Sequence, residues 1–313
     1  MTITQLDYII SVDTYGSFSE AARNCFVTQP TLSMQIQKLE DELGILIFDR
    51  RKQPIKPTER GERIIQQAKI ILQESEKLKN EVEIESGKFS GRLKVGIIPT
   101  VAPYLLPRFL KTFVGKYPEV ELLIDETTTN EIISAINKDK VDLGILALPI
   151  NEAGIVTESL YYEPFVGFIP RSHQLFKKEK LHVDDISVDD VLLLKEGHCL
   201  REQTLKLCSS SQKEFEGKKA KILFEGGNLE TLIKLVEQDF GFTLLPYLCL
   251  DYFKNTDSLQ LVREFCSPVP RREIGFVYHK TLSKKHLVKS LKNEIMNSIP
   301  ESLKESEVSL IIH

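Results

Sequence analysis

Gly197-His198-Cys199, followed nine positions later by Cys208, is where residue types and spacing in this chain permit chemistry. A cysteine thiolate is a nucleophile, and two cysteines can cycle between free thiols and a disulfide. The residues between them, Leu200 to Leu207, read as a short helix. On a helix, positions nine apart face nearly opposite directions and lie roughly 13 Å apart along the axis. A disulfide needs its Cα atoms within about 7 Å. Free thiols on an intact helix and a disulfide on a rebuilt segment are therefore alternatives, which is the outline of a switch. Taken alone, a Gly-His-Cys string more often marks a buried structural cysteine.

The rest of the composition narrows the setting. The chain has 313 residues, enough for two or three domains, with ordinary apolar (42%) and charged (27%) fractions. A formal charge of -4 and a pI of about 6.0 leave no global basic field, so any nucleic-acid contact must come from a local patch. No apolar run approaches membrane-spanning length, and Met1-Thr2-Ile3-Thr4-Gln5 carries no secretory pattern, so a cytoplasmic protein without a membrane partner is expected. Five cysteines (25, 199, 208, 249 and 266) with no CxxC pair argue against a secreted disulfide framework and against a metal site. No cofactor motif stands out.

Residues 1–58 read as a small helical domain. Leu6, Ile9, Ile10 and Val12 form a helical stripe ending near Gly16, and Ser17-Phe18-Ser19-Glu20 fits a capping box. Thr28-Gln29-Pro30-Thr31 opens a third helix, with threonine as cap and proline in the first turn. Its apolar stripe is Leu32, Ile36, Leu39 and Leu43. Its other face shows Gln29, Pro30, Ser33, Met34, Gln37 and Lys38, short or hydrogen-bonding side chains suited to a major groove. Arg50, Arg51, Lys52 and Lys56 follow with no acid among them; this is a solvated basic loop or, beside a recognition helix, a phosphate-binding wing.

Together these pieces are far more specific. Tyr15 to Ala22, Val27 to Ser33, Gln35 to Glu40, Leu43-Gly44 and Phe48-Asp49-Arg50 resemble the winged helix-turn-helix of LysR-type transcriptional regulators. The resemblance implies double-stranded promoter DNA as partner. It places Gln29, Pro30, Thr31 and Ser33 near base edges, and Arg50 and Arg51 on the flanking backbone or minor groove. Met34 offers no strong base-edge hydrogen bond, so shape readout would carry more of the specificity.

Residues 59–91 read as one long polar helix and a hinge. Ile64, Ala68, Ile71, Ser75, Leu78 and Val82 are spaced as a coiled-coil seam weakened by Ser75. Packing on the protein's own domain is the plain explanation; a second copy of the chain is the better one, and the resemblance implies a homodimer through this helix and a homotetramer overall. Ser86 to Gly91 then breaks the helix.

Residues 92–313 alternate strand-like runs (93–98, 119–126, 141–147, 165–169, 191–194, 221–224, 242–245 and 274–278) with helix-like ones (104–116, 131–138, 229–237 and 284–296). The expected fold class is α/β: an N-terminal winged helix-turn-helix, a linker helix and a C-terminal two-lobed, periplasmic-binding-protein-like regulatory domain. Lobe 1 would hold about 92–162 and 268–300, and lobe 2 about 163–267. Ligands in such folds sit at the carboxyl ends of strands, between lobes. Three runs end at polar groups there: Pro99-Thr100, Glu126 to Thr129, and Glu196 to Cys199.

Gly96 to Pro107, Glu196 to Arg201, Leu229 to Leu232, Gly241 to Pro246 and Pro270 to Gly275 are similar to the peroxide-sensing members of the LysR-type regulators. That resemblance implies a Cys199 thiolate that attacks hydrogen peroxide and a sulfenic acid that condenses with Cys208. The rest of the site would be His198 to take the thiol proton, Arg272 and Arg201 as positive charge, and Thr100 and Thr129 holding the peroxide oxygens. The run Thr127-Thr128-Thr129 leaves that last register open by a residue or two. Disulfide formation would rebuild roughly residues 199–220, and glutaredoxin- or thioredoxin-type thiol reductants would reset it. RNA polymerase is a further implied partner, and a transcription regulator rather than an enzyme is expected. Glu202, where aspartate is common, and the polar tract 209–219 depart from the pattern. Cys25 reads as a core residue, Cys249 and Cys266 as bystanders. The rivals are a LysR-type regulator binding a small effector between its lobes and, from another class, a thiol peroxidase, which has no use for a recognition helix.

Overall fold

The computed structural model describes residues 1–86, 90–187, 191–208, 227–304 and 310–312. The chain divides into two compact units, Met1–Lys88 with Thr281–Lys285, and Phe89–Lys280 with His286–His313.

In the first unit, α1 (Ile3–Tyr15) starts with a Thr2/Gln5 capping box and stops at Gly16, whose φ of +62° glycine adopts without strain. Ser17 Oγ accepts from the Glu20 N–H to start α2 (Phe18–Asn24), the serine half of the expected box. Thr28 caps α3 (Gln29–Leu43) with proline in its first turn. Leu6, Ile9, Val12, Ala21, Leu32, Ile36 and Leu39 make the core. The wing is the antiparallel pair β1 (Phe48–Asp49) and β2 (Lys56–Pro57).

Helix α4 (Glu59–Ser86) carries the expected stripe, and its first half packs on the domain. Ile65 and Ala68 are buried in the unit's own core, with Ile64 and Ile71 packed beside them. The domain thus covers the N-terminal half of the stripe, because α4 lies along α1 and Lys69 pairs with Asp13. Leu78, by contrast, is 74% exposed. The side chain of Val82 and the expected hinge residues 87–89 lie outside the described residues.

The second unit is a two-lobed α/β body. Strands β3 (Gly91–Ile97), β4 (Val120–Glu126) and β5 (Leu143–Leu148) run parallel, with α5 (Ala102–Lys116) and α6 (Thr129–Asn137) in the crossovers. Gly144 lets α6 close on the sheet: a Cβ there would lie 2.6 Å from both Ile132 and Val277 side chains. The chain then enters β6 (Ile155–Phe168), a 14-residue strand whose first part pairs antiparallel with β10 (Pro270–His279). Its last residues pair with β8 (Thr243–Pro246) and β9 (Val262–Phe265). The sequence had suggested only 165–169, because Glu158, Glu163 and Pro164 interrupt the apolar run. The expected strand at 191–194 is reduced to isolated bridge positions at Val191, opposite Phe242, and Leu194, and that at 221–224 lies outside the described residues.

The second lobe collects its core from Phe165, Phe168, Leu181, Leu232, Ile233, Phe242, Leu244 and Phe253. The same core takes in Leu200, Leu207 and Cys208 from α7 (Cys199–Leu207). Helix α8 (Leu229–Glu237) packs beside it through Leu229 and Val236, and α9 (Lys285–Ser298) follows β10. Short strands β7 (Lys180–Leu181) and β11 (Leu310–Ile311) complete the sheet edges, on β9 and β10 respectively.

Candidate functional site

Cys199 stands at the first position of α7, and local backbone puts it there. Gly197 adopts φ +92°, a conformation that costs other residues, and His198 follows as an extended N-cap. The first N–H groups of a helix have no intrahelical partner, and the dipole there favours negative charge. Accordingly the N–H groups of Leu200 and of Cys199 itself point at the sulfur, joined by the Thr100 hydroxyl and the nearby Arg272 guanidinium. Burial pushes the Cys199 thiol above its ordinary value; Arg272, these N–H groups and Thr100 all act against that rise. Arg201 is turned elsewhere, Nη1 donating to the Leu194 carbonyl at 3.0 Å, so Arg272 is the cation that acts on the sulfur.

Arg272 comes from the middle of the sheet. It lies directly opposite Glu163 in the β6–β10 ladder, so both side chains leave from one face. Nε and Nη2 donate to Glu163 Oε2 at 2.9 and 2.7 Å, Nη1 donates to Thr100 Oγ1 at 3.0 Å, and Nη2 also donates to the Thr100 carbonyl at 3.0 Å. Both members of the pair are fully buried.

The threonine run opposite resolves into distinct roles. Thr127 and Thr128 hydroxyls both donate to Glu131 Oε2, which, with the Thr128 N–H and then the charge of Lys195, holds the Glu131 carboxyl down to about 2. Thr129 Oγ1 is buried and has no hydrogen-bond partner. Because Thr127 N–H bonds the Ile97 carbonyl, this turn sits beside the end of β3, which leads into Thr100. His198 is buried with Nε2 unpartnered; burial, then Lys195, depresses its pKa, so the imidazole is neutral at neutral pH.

Cys208 lies at the far end of α7. Its thiol donates to the Thr204 carbonyl at 3.3 Å, and burial pushes it up to about 11. All five cysteines are free. Cys249 is fully buried, hydrogen-bonded to Tyr104, and pushed up to about 12 by burial. Cys25 bonds Ser11, and no metal-binding cluster occurs among the described residues.

The face of α3 away from the core presents Gln29 and Pro30 exposed, Thr31 and Ser33 half-buried and Met34 half-exposed. Residues 3–62 match the bacterial regulatory helix-turn-helix of the lysR family, and residues 86–298 match the LysR substrate binding domain. The chain belongs to the LysR family.

Within that family the chain is 34% identical over 278 residues to the transcriptional dual regulator OxyR of Escherichia coli K12, covering 89% of each protein. Its fold is similar to a cysteine-to-aspartate variant of full-length OxyR from Pseudomonas aeruginosa, with TM-score 0.79, 30% identity, and 98% and 99% of the two chains covered. It is also similar to an H2O2-bound cysteine-to-serine variant of OxyR from Corynebacterium glutamicum (TM-score 0.62, 27% identity, 95% and 92% covered).

Of the LysR-type DNA contacts expected from sequence, the two arginines differ in kind. Arg51 is almost fully exposed beside Asp49. Arg50 is drawn inward: its guanidinium donates to buried Glu40 at 3.1 Å and to Ser33 at 3.4 Å, and stacks over Phe18. Glu40 requires that cation because it sits in the core, its other oxygen taking the Ile47 and Phe48 N–H groups. Arg50 therefore ties the wing to α3, while Arg51 lies at the surface beside Asp49. Two residues escaped the sequence reading. Glu163 shows itself only through strand register, and Phe26, which carried no expectation, is 95% exposed at φ +55° shortly before the Thr28 cap. Replacing Gln29 by alanine is expected to cost about 1–3 kcal/mol on the cognate site and little on unrelated DNA, read by competition gel shift at fixed salt.

Proposed function

We propose that this LysR-family regulator senses hydrogen peroxide at Cys199 and signals by a reversible Cys199–Cys208 disulfide. The observation that carries the reading is the Cys199 sulfur at the start of α7, facing the Thr100 hydroxyl and Arg272 guanidinium, with a second, buried thiol at the other end of the same helix. The names of the relatives, OxyR among them, support it.

Deprotonated Cys199 attacks one peroxide oxygen. The S–O bond forms, the O–O bond breaks, and hydroxide leaves, taking a proton to become water; the sulfur is oxidised by two electrons. Thr100 and the unpartnered Thr129 hydroxyl hold the peroxide oxygens, and Arg272 stabilises the charge that passes to the leaving oxygen. Neutral His198 accepts the thiol proton. The Cys208 sulfur then attacks the sulfenic acid, forming S–S and releasing the hydroxyl as water. Helix α7 holds the cysteines apart and the Cys208 thiol protonated, so this second step requires α7 to open first.

The chain acts as a homodimer or homotetramer on promoter DNA in the cytoplasm, with RNA polymerase as its target and thiol reductants resetting the disulfide. Its role is regulation rather than turnover. No described helix is long and apolar enough to cross a membrane. DNase footprinting on the regulated promoter tests the reading. Reduced and peroxide-treated protein are expected to protect different lengths of DNA, interconverted by a dithiol reductant; identical protection with Cys199 fully oxidised would overturn it.

A further inference from the structure

Glu163 is 1% exposed and Arg272 0%, in the strand ladder that joins the lobes. A carboxylate so buried persists only when its lone pairs are used. Oε2 takes two Arg272 donors, and Oε1 accepts the Leu248 N–H at 2.8 Å. The Leu248 bond holds the carboxylate, and the two Arg272 bonds fix one edge of the guanidinium plane. The other edge presents Nη1 to the Thr100 hydroxyl and Nη2 to the Thr100 carbonyl. A threonine hydroxyl carries one hydrogen and two lone pairs. With its oxygen already accepting from Arg272, the Thr100 hydrogen is directed to the Cys199 sulfur or to a peroxide oxygen bound against it.

We propose that Glu163 is a positioning residue for the reaction at Cys199: by anchoring Arg272, it sets the direction in which the Thr100 hydroxyl donates. The inference rests on the peroxide-sensing reading of the same site. Glu163 acts through two other residues and not on the sulfur. Charge alone predicts the opposite sign, because removing a carboxylate beside Arg272 would leave more positive charge for the thiolate and speed its reactions. Positioning and charge are therefore separable.

The test uses full-length reduced protein and two probes of Cys199 across about pH 5.5 to 9, a range that spans the onset of thiolate formation. Hydrogen peroxide requires aligned donors; iodoacetamide reports the thiolate alone. For Glu163→Gln the peroxide rate constant at the top of that pH range is expected to fall by about ten- to a hundredfold while the iodoacetamide rate stays at or above the parent value. In a Thr100→Val background, Glu163→Gln is expected to add nothing, since both changes remove the same alignment. Glu163→Asp, which keeps the charge and shortens the reach, is expected to show the same split and serves if the glutamine variant does not fold. An unchanged or faster peroxide rate, an equal loss with both probes, or losses that multiply with Thr100→Val would overturn the inference. If the parent reacts rapidly with peroxide and Glu163→Gln does so equally, the positioning role alone fails. If parent Cys199 does not react with peroxide, the sensing reading fails and this inference with it.

Discussion

Cys199→Ser is expected to bind promoter DNA with one footprint, unchanged by peroxide. A serine hydroxyl preserves the size of the side chain at the start of α7 and the helix itself, so the DNA-binding state is kept while the nucleophile is lost. The peroxide-dependent part of the footprint should vanish completely rather than partly, because Cys199 is the cysteine at a helix start with Arg272 and Thr100 against its sulfur. Cys208 and Cys249 are held as thiols by burial, at about 11 and about 12 respectively. Cys208→Ser should fail differently: it still forms the sulfenic acid, detectable with dimedone, but never the disulfide. Footprinting and dimedone mass tagging on the same samples distinguish the two variants, and a peroxide-dependent footprint in Cys199→Ser would contradict the assignment.

Arg272→Met should produce the largest loss of stability of any single change in the site. Exposed ion pairs such as Arg92–Glu121 contribute about 0–1 kcal/mol, because water already solvates both charges. Removing Arg272 instead strands Glu163 in the core, at a cost of about 3–5 kcal/mol. For a domain of this size that corresponds to a fall in melting temperature of about 6–20 °C. The same change removes the strongest influence lowering the Cys199 thiol, so its pKa should rise further and peroxide oxidation at neutral pH should slow. Scanning calorimetry and the pH dependence of Cys199 alkylation read the two effects separately. A variant as stable as the parent, or one with a more acidic Cys199, would show that the buried pair does not govern the site.

The helices of the first unit were legible because their caps and apolar stripes are local: Thr2, Ser17 and Thr28 start helices, Gly16 and Gly44 end them. The short helix between the two cysteines was equally local. Long-range features were not legible. The pairing of Glu163 with Arg272 depends on antiparallel register across a 109-residue separation, which no spacing along the chain encodes. Of the charged residues and proline that made 155–164 look unlike a strand, Glu163 is the one that β6 brings to the site, while Glu158 pairs with Lys292. The tie from Arg50 to Glu40 was not legible, because this partner is ten residues away and becomes buried only in the folded unit. The choice among Thr127, Thr128 and Thr129 needed the Glu131 cap, which occupies the first two and leaves the third.

The energetic demand of the switch falls on α7. Leu200 and Leu207 are buried, and exposing both would cost about 3–6 kcal/mol. Closing a loop of this length with a disulfide returns about 2–3 kcal/mol by chain entropy. In the proposed switch, an oxidised segment that buries these leucines elsewhere avoids that cost. The buried bond from Gln203 Nε2 to the Ile312 carbonyl, 3.1 Å, must also break or move with it. Non-reducing peptide mass mapping after stoichiometric peroxide tests the central claim most directly. An intramolecular Cys199–Cys208 crosslink, removed by a dithiol, is the expected result. Cys199 remaining a free thiol under excess peroxide, or crosslinked only to another cysteine, would contradict the account.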